Sequence, residues 1–191
     1  TTNRGAGSGE MGDYLPFVDL GTSCTFVTDL SSGDFHNCVI CSDGSVKCWG
    51  ENTNGQLGLG DTDNRGDQTN EMGDYLASVD VTGTSGLTVV AFFSGSNHNC
   101  VTFDDGSMKC WGYNGNGQLG LEDYGNRGGG VSEMGNNLIF VDVGTGRSVL
   151  SGCGGSDHTC AILDDYRLKC WGYNGYGNLG YGHYHQRRQS C

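Results

Sequence analysis

The sequence has few basic residues. Lys and Arg together number 10 against 22 Asp and Glu, which gives a formal net charge of −12. Binding to phosphate groups requires clustered Lys and Arg side chains. The composition therefore argues against nucleic acid and against an anionic membrane surface as partners.

Long apolar runs are also missing. The longest spans residues 87–93 and contains Thr88, far short of the roughly 20 residues that cross a bilayer, so we expect no membrane insertion. The chain has one Pro, 36 Gly and no Asn-x-Ser/Thr acceptor for N-glycosylation. Many glycines without a helical apolar period favour short strands joined by tight turns. Because Thr1 is not an initiator Met, we expect a part of a longer precursor.

Cysteine, by contrast, is abundant and follows a pattern. Three of the ten cysteines are each followed by another cysteine ten positions later, and each of these pairs is followed directly by a Trp. Glu-Met-Gly also recurs, 61 and 62 residues apart. A unit of about sixty residues is therefore repeated three times. The pairs and their tryptophans are Cys38, Cys48, Trp49; Cys100, Cys110, Trp111; and Cys160, Cys170, Trp171.

The period divides residues 1–191 into a single repeat array. We assign residues 1–9 to the end of a preceding unit, 10–70 to unit 1, 71–132 to unit 2, 133–182 to unit 3 and 183–191 to a C-terminal tail. Residues 1–9 match the sequence from Thr62 onward, and residues 183–191 match residues 61–69. The head and the tail of the chain are thus nearly in phase.

The cysteine spacing predicts an antiparallel hairpin in each unit. If Cys38 and Cys48 lie directly opposite each other, the hairpin has the three-residue loop 42–44. Gly suits the left-handed position that ends such a loop, as in Gly44. The third unit has Tyr166 there, where a left-handed backbone is strained. Alternation along the strands places each disulfide, Cys38–Cys48, Cys100–Cys110 and Cys160–Cys170, on a packed face.

Four cysteines do not repeat. We favour Cys24 with Cys41 and Cys153 with Cys191, although sequence alone does not determine connectivity and an intermolecular bond of Cys191 stays open. Ten cysteines, mostly in evenly spaced pairs, are typical of proteins from an oxidising compartment. We therefore predict an extracellular, secreted protein.

Each unit contains, besides the hairpin, a strand such as residues 17–20 and a further hydrophobic strand, about four strands in all. Several segments resemble the regulator of chromosome condensation repeat: Asn-His-Asn-Cys-Val at 97–101, Asp-Gly at 105–106, Cys-Trp-Gly-Tyr-Asn at 110–114 and Gly-Gln-Leu-Gly at 117–120. The resemblance covers nearly the whole chain and implies an all-β fold of three four-stranded β-propeller blades. The added cysteine pairs resemble secreted versions of the repeat.

Three blades are too few to close a ring, because propellers have about four to eight. We expect an open arc with a bare strand edge at each end. The arc is then part of a larger β-propeller or of a head-to-tail blade array.

Several recurring side chains have alternative interpretations. The histidines are read as hydrogen-bonding residues rather than metal ligands, since three copies one blade apart do not converge on one ion. The tryptophans are expected to pack between blades, with sugar stacking as the alternative. The lysines beside the cysteines are expected to project into solvent. The histidines and lysines are His36, His98, His158, Lys47, Lys109 and Lys169.

Candidate interaction loops span residues 61–70 and 122–132. Residues 61–67 resemble a calcium loop, but Arg65 falls on a ligand position, so we predict no cofactor and keep calcium as the alternative. Arg65-Gly66-Asp67 is a tripeptide that integrins bind, yet Asn-Arg-Gly recurs in the other units without the Asp, which indicates a turn. The loop residues singled out are Asp61, Asp63, Arg65, Asp67, Glu122, Asp123, Tyr124 and Arg127.

The sequence contains no grouping of nucleophile, base and orienting residue and no phosphate-binding Gly loop, so we do not expect an enzyme. The leading hypothesis is a non-enzymatic extracellular structural protein that self-assembles through open blade edges into a filament, ring or surface layer. The alternative is an extracellular module that recognises a protein or a glycan, as a fragment of a complete propeller. The expected partner is a second copy of the chain, forming a homo-oligomer or polymer.

Overall fold

The computed structural model describes residues 3–182 and contains three antiparallel sheets of three strands each. We call the sheets blades 1, 2 and 3. A short 3-10 turn precedes each blade, at Gly12–Tyr14, Gly73–Tyr75 and Gly135–Asn137. The strands are β1 (Val27–Ser32), β2 (His36–Cys41), β3 (Val46–Gly50), β4 (Val89–Ser94), β5 (His98–Phe103), β6 (Met108–Gly112), β7 (Val149–Gly154), β8 (His158–Leu163) and β9 (Leu168–Gly172).

The hairpin between the last two strands of each blade has the predicted register. Cys38 lies opposite Cys48, and the amide of Cys41 donates to the Ser45 carbonyl at 2.8 Å, which closes the three-residue loop. Gly44 ends this loop with φ of 81°. Tyr166 adopts the same left-handed conformation with φ of 62°, so the third hairpin carries the strain that its sequence predicted.

Disulfide bonds join the cysteines that face each other across the hairpins. Cys153 lies exposed on β7 and bonds no residue in the described range. Its proposed partner Cys191, like the rest of residues 183–191 and residues 1–2, lies outside that range. The bonds among the described residues are Cys24–Cys41, which joins the segment before β1 to the end of β2, and the hairpin bonds Cys38–Cys48, Cys100–Cys110 and Cys160–Cys170.

The blades pack on one another through the face that carries the hairpin disulfides. Ile40 and Val46 of blade 1 are buried against Phe92 and Trp111 of blade 2. Blade 2 packs on blade 3 in the same way. On the corresponding face of blade 3, Ile162 and Leu168 are 41% and 62% exposed, whereas Cys170 is 7% exposed. The described residues therefore pack the disulfide face of blades 1 and 2 and leave Ile162 and Leu168 of blade 3 exposed.

Each unit forms three strands where four were predicted. Residues 17–20 form no paired strand within the described structure. The equivalent segment of unit 2 is extended and lies along blade 1, where the Val79 amide donates to the Val46 carbonyl at 2.8 Å. In unit 3 the Val141 amide donates to the Met108 carbonyl of blade 2 at 2.9 Å. The segment thus pairs with the last strand of the preceding unit.

Candidate interaction surfaces

Side-chain hydrogen bonds from a histidine connect adjacent blades. His36 Nε2 lies 2.9 Å from Asn99 Oδ1, and Asn99 Nδ2 donates to the Gln56 carbonyl at 2.7 Å. Because an amide oxygen only accepts hydrogen bonds, the His36 ring carries its proton on Nε2. His98 Nε2 makes the corresponding contact with Thr159 Oγ1 at 2.9 Å.

Burial disfavours the protonated form of these two histidines. Desolvation lowers the pKa of His98 to about 4, and the nearby His36 and His158 act in the same direction. Desolvation also lowers the pKa of His36, against an opposing hydrogen bond to Asn99. The Nδ1 atoms of both rings are buried without a hydrogen-bond partner. A proton on either Nδ1 would therefore be a buried donor with no acceptor.

The tryptophans connect the same blades. Trp111 Nε1 donates to the Gln56 carbonyl at 3.0 Å, and its fully buried ring meets Phe92 edge to face at 5.6 Å. Trp171 Nε1 donates to the Gln118 carbonyl at 3.0 Å. A buried Trp111 presents no face to a sugar, so the packing interpretation describes this residue.

The lysines depart from their predicted position in solvent. Lys47 and Lys109 are buried, and only Lys169 is exposed. Lys109 Nζ donates to the carbonyls of Val81 and Gly135, at 3.0 and 2.8 Å. Burial lowers the pKa of Lys109, while the charge of Asp80 opposes this shift. The alternation of side chains along a strand places these lysines on the side of the sheet opposite the disulfides, which we expected to face solvent. The segments that flank the blades cover this side as well.

Two further contacts fix each inter-unit segment to the unit before it. The Gly73 amide donates to the Asp19 carbonyl at 3.0 Å, and the Gly135 amide donates to the Asp80 carbonyl at 2.8 Å. In addition, the amide and hydroxyl of Thr22 both donate to Asp74 Oδ1. Thr84 and Asn136 make the same pair of contacts in the next unit.

The two ends of this stack expose apolar side chains that interior blades bury. We define the trailing face as the exposed Ile162 and Leu168 of blade 3 with the Cys160–Cys170 disulfide beneath them, and the leading face as the exposed Leu15, Val18 and Leu30 of unit 1 with the partly buried Trp49. Leu168 is 62% exposed, whereas Val46 and Met108, its equivalents in blades 1 and 2, are each 1% exposed. Val18 is 56% exposed, whereas its equivalents Val79 and Val141 are 5% and 8% exposed.

A cavity of about 360 Å³ lies beside the trailing face. Its lining includes Gly120, Val141, Trp171 and Tyr181. The Tyr181 hydroxyl donates to the Cys170 carbonyl at 2.8 Å and accepts from the Cys170 amide at 3.2 Å. The cavity therefore opens along the outer edge of β9.

The first candidate loop is held by its own side chains. Arg65 pairs with Asp61 at 2.6 Å and donates to the Asp63 carbonyl at 2.7 Å. Partial burial opposes ionisation of Asp61, yet hydrogen bonds from Arg65 and from the Asp63 amide outweigh it and lower the pKa of this carboxyl. Glu71 accepts hydrogen bonds from the amides of residues 66, 67 and 68, which fixes the turn around Asp67.

The second candidate loop repeats this arrangement. Arg127 pairs with Asp123, and Glu133 accepts from the Gly128 amide at 2.9 Å. Glu122 has a left-handed backbone with φ of 61°. Tyr124 is exposed between these fixed residues. Both loops thus present rigid backbones, and Arg65 and Arg127 are engaged within them.

Metal and membrane sites were also sought. Residues 3–182 hold no group of three or more His, Cys, Asp or Glu side chains placed to bind an ion. None of the helical segments in the described range has the length and apolar character of a membrane span.

Comparison with known proteins identifies the repeat. The family model of the regulator of chromosome condensation (RCC1) repeat matches residues 27–56, 89–118 and 151–178, and a second model of that repeat matches residues 43–102. The first two matches each include all three strands of a blade, and the third includes β8, β9 and residues 151–154 of β7.

Among curated relatives, the ultraviolet-B receptor UVR8 of Arabidopsis thaliana is 30% identical over 156 residues, which are 82% of this chain and 31% of that protein. The probable E3 ubiquitin-protein ligase HERC4 of Homo sapiens is 29% identical over 155 residues, 81% of this chain and 13% of that protein. The chain thus spans a third or less of the length of these relatives.

Among solved structures, Prp20p of Saccharomyces cerevisiae, whose binding to Gsp1p and histones was studied with its structure, matches with a TM-score of 0.60 at 18% identity. The match covers 83% of this chain and 36% of Prp20p. At this identity the likeness establishes the fold.

Proposed function

This chain belongs to the regulator of chromosome condensation repeat family, and we propose that it is a non-enzymatic extracellular structural protein that self-associates. In this proposal the trailing face of one copy docks on the leading face of a second copy. The blade array then continues across chains, as a ring if the rotation closes and as a filament if it does not. The leading face belongs to the unit of residues 10–70 and the trailing face to the unit of residues 133–182, and residues 71–132 form the unit between them.

The observation that carries the proposal is the exposure of residues whose repeat equivalents are buried. Leu168 has the position of Val46 and Met108, and Val18 has the position of Val79 and Val141. Burying apolar surface contributes roughly 25 cal/mol per Å². The trailing face corresponds to one side of the interior blade–blade junctions, and the leading face corresponds to the other side. The two faces are therefore expected to fit each other as adjacent blades do.

The disulfides support the extracellular part of the proposal. Four bonds lie among the described residues, and such bonds persist in oxidising compartments. A formal net charge of −12 favours solubility and disfavours nucleic acid as a partner. Secretion can be checked by recovering the protein from culture medium with its cysteine pairs oxidised.

Sedimentation velocity and electron microscopy over a range of protein concentrations test self-association. We expect the mass to rise with concentration, and Leu168→Glu to keep the protein monomeric because it places a charge on the trailing face. The matched control is Leu150→Glu, an exposed position in blade 3 whose equivalents Thr28 and Val90 stay exposed in blades 1 and 2. A parent protein that stays monomeric at every concentration refutes the proposal.

A second candidate function is recognition of a protein or glycan by the loops at 61–70 and 122–132. The supporting observation is the exposed Tyr124, held between fixed charged residues. The solved relative Prp20p binds Gsp1p and histones, which is a precedent for protein binding by this fold. Replacing residues 122–127 with a Gly-Ser linker should abolish saturable ligand binding and leave self-association intact. Unchanged binding after the replacement excludes this loop.

A further inference from the structure

We infer, building on the proposed self-association, that residues 11–20 of one copy add to the outer edge of β9 in a second copy. At both interior junctions the outer edge of a blade is covered by the equivalent segment of the following unit. At β9 no described strand segment takes that place, and the Tyr181 hydroxyl bonds the amide and the carbonyl of Cys170 on this edge. We assign this place to the equivalent segment of unit 1 in a second copy, in which the Val18 amide makes no backbone hydrogen bond within the described residues.

The interior junctions define the register of this addition. Val79 and Val141 donate to the carbonyls of Val46 and Met108, so Val18 is placed to donate to the carbonyl of Leu168. Gly73 and Gly135 donate to the carbonyls of Asp19 and Asp80, so Gly12 is placed to donate to the carbonyl of Asp142. These two bonds repeat at both interior junctions without exception.

A third contact completes the register. Thr22 and Thr84 donate with amide and hydroxyl to Asp74 and Asn136. The Thr145 amide and hydroxyl correspond to these donors, because Gly144 bonds Asp142 as Gly21 bonds Asp19. The acceptor they would meet is Asp13 of the second copy.

Apolar side chains of the segment fit the space beside β9. Met134 Cε lies near Gly58, next to Val79 and Trp111. The equivalent position, beside Gly120, Val141 and Trp171, is the cavity described above. Met11 of a second copy has the position of Met134 and is exposed in unit 1.

Leu15 gives the same comparison. It is 40% exposed, whereas its equivalents Leu76 and Leu138 are 2% and 1% exposed. Pro16, which has no amide hydrogen to donate, occupies the position of Ala77 and Ile139. Neither of these residues donates a backbone hydrogen bond across the junction, so the single proline is compatible with edge addition.

Val18→Pro tests the segment, because it removes the amide that bonds Leu168. Val18 is exposed and unpaired within the described chain, so folding should be unaffected, as circular dichroism and thermal unfolding can verify. We expect the association constant to fall roughly tenfold or more, and Met11→Gln to weaken association too. Tyr14→Ala is the matched control, since the equivalents Tyr75 and Asn137 stay exposed at interior junctions.

The outcomes separate this inference from the proposed function. If the parent does not self-associate, both fail. If the parent and Val18→Pro associate equally, self-association stands and the assignment of residues 11–20 is overturned. A synthetic peptide of residues 10–21 should bind saturably to Val18→Pro and not to Val18→Pro/Leu168→Glu. Equal binding to both proteins, or binding to neither, contradicts the assignment.

Discussion

Lowering the pH from about 7.5 to about 5 is expected to reduce the free energy of unfolding by about 2 kcal/mol through His98 alone. The cause is local. His98 is buried between blades 2 and 3, and its Nδ1 has no hydrogen-bond partner. Because Thr159 Oγ1 donates to the Gln118 carbonyl, it accepts its second hydrogen bond from His98 Nε2. The folded protein therefore resists taking up a second ring proton.

The sign follows from proton uptake by the two states. Burial lowers the pKa of His98 from 6.5 to about 4 in the folded protein. Between these values the unfolded chain binds a proton that the folded chain does not bind, so stability falls as the pH falls. The full difference of about 2.5 pKa units corresponds to roughly 3 kcal/mol, most of which is lost by about pH 5. His36, whose pKa burial also lowers, adds to the loss.

Urea denaturation at the two pH values measures this quantity. The comparison variant is His98→Gln, whose amide does not titrate and can still donate a hydrogen bond to Thr159. Protein concentration should be low enough to keep the chain monomeric, since association also changes apparent stability. We expect the variant to lose about 2 kcal/mol less than the parent between the two conditions. Equal losses in parent and variant would show that His98 is not held neutral by burial.

Three further changes test the fold by the same measurement. Tyr166→Gly should raise the free energy of unfolding by about 0.5–1 kcal/mol, because glycine adopts the left-handed backbone without strain. Gly44→Ala should lower the free energy of unfolding by about 1 kcal/mol. If Tyr166→Gly gives no gain in stability, the Tyr166 backbone is not strained. Lys109→Met should lower the free energy of unfolding by about 2 kcal/mol, because it leaves two buried carbonyls without donors. Lys169→Met should change the free energy of unfolding by less than about 0.5 kcal/mol. Equal losses in the two variants would contradict the role of burial. Replacing Cys100 and Cys110 together with Ser should cost roughly 2.5–3 kcal/mol, and a negligible loss would contradict the stabilising role of this bond.

The hairpins were predictable because their geometry is local. A separation of ten positions between two cysteines, with Asp-Gly in the middle, leaves little choice of register, and Cys38 does lie opposite Cys48. The left-handed Tyr166 followed from the same count. The repeat resemblance likewise identified the family and the all-β fold, since its motifs recur in every unit.

The lysines and the fourth strand were not predictable in this way. Alternation says which side of a strand a residue occupies, but not what covers that side. Lys109 is buried because carbonyls from residues 81 and 135, one before its hairpin and one after it, meet at its amine. Residues 17–20 have a strand-like sequence but no edge to pair with in the described chain.

The sequence alone determined the period, the disulfide hairpins, the strained turn and the net negative charge, because each depends on residues close together in the chain or on composition. Tertiary structure decided which unit contributes a segment to which blade, and which histidines and lysines are buried. These depend on contacts between residues about sixty positions apart, such as His36 with Asn99. Contacts at that distance are set by how one blade packs on the next.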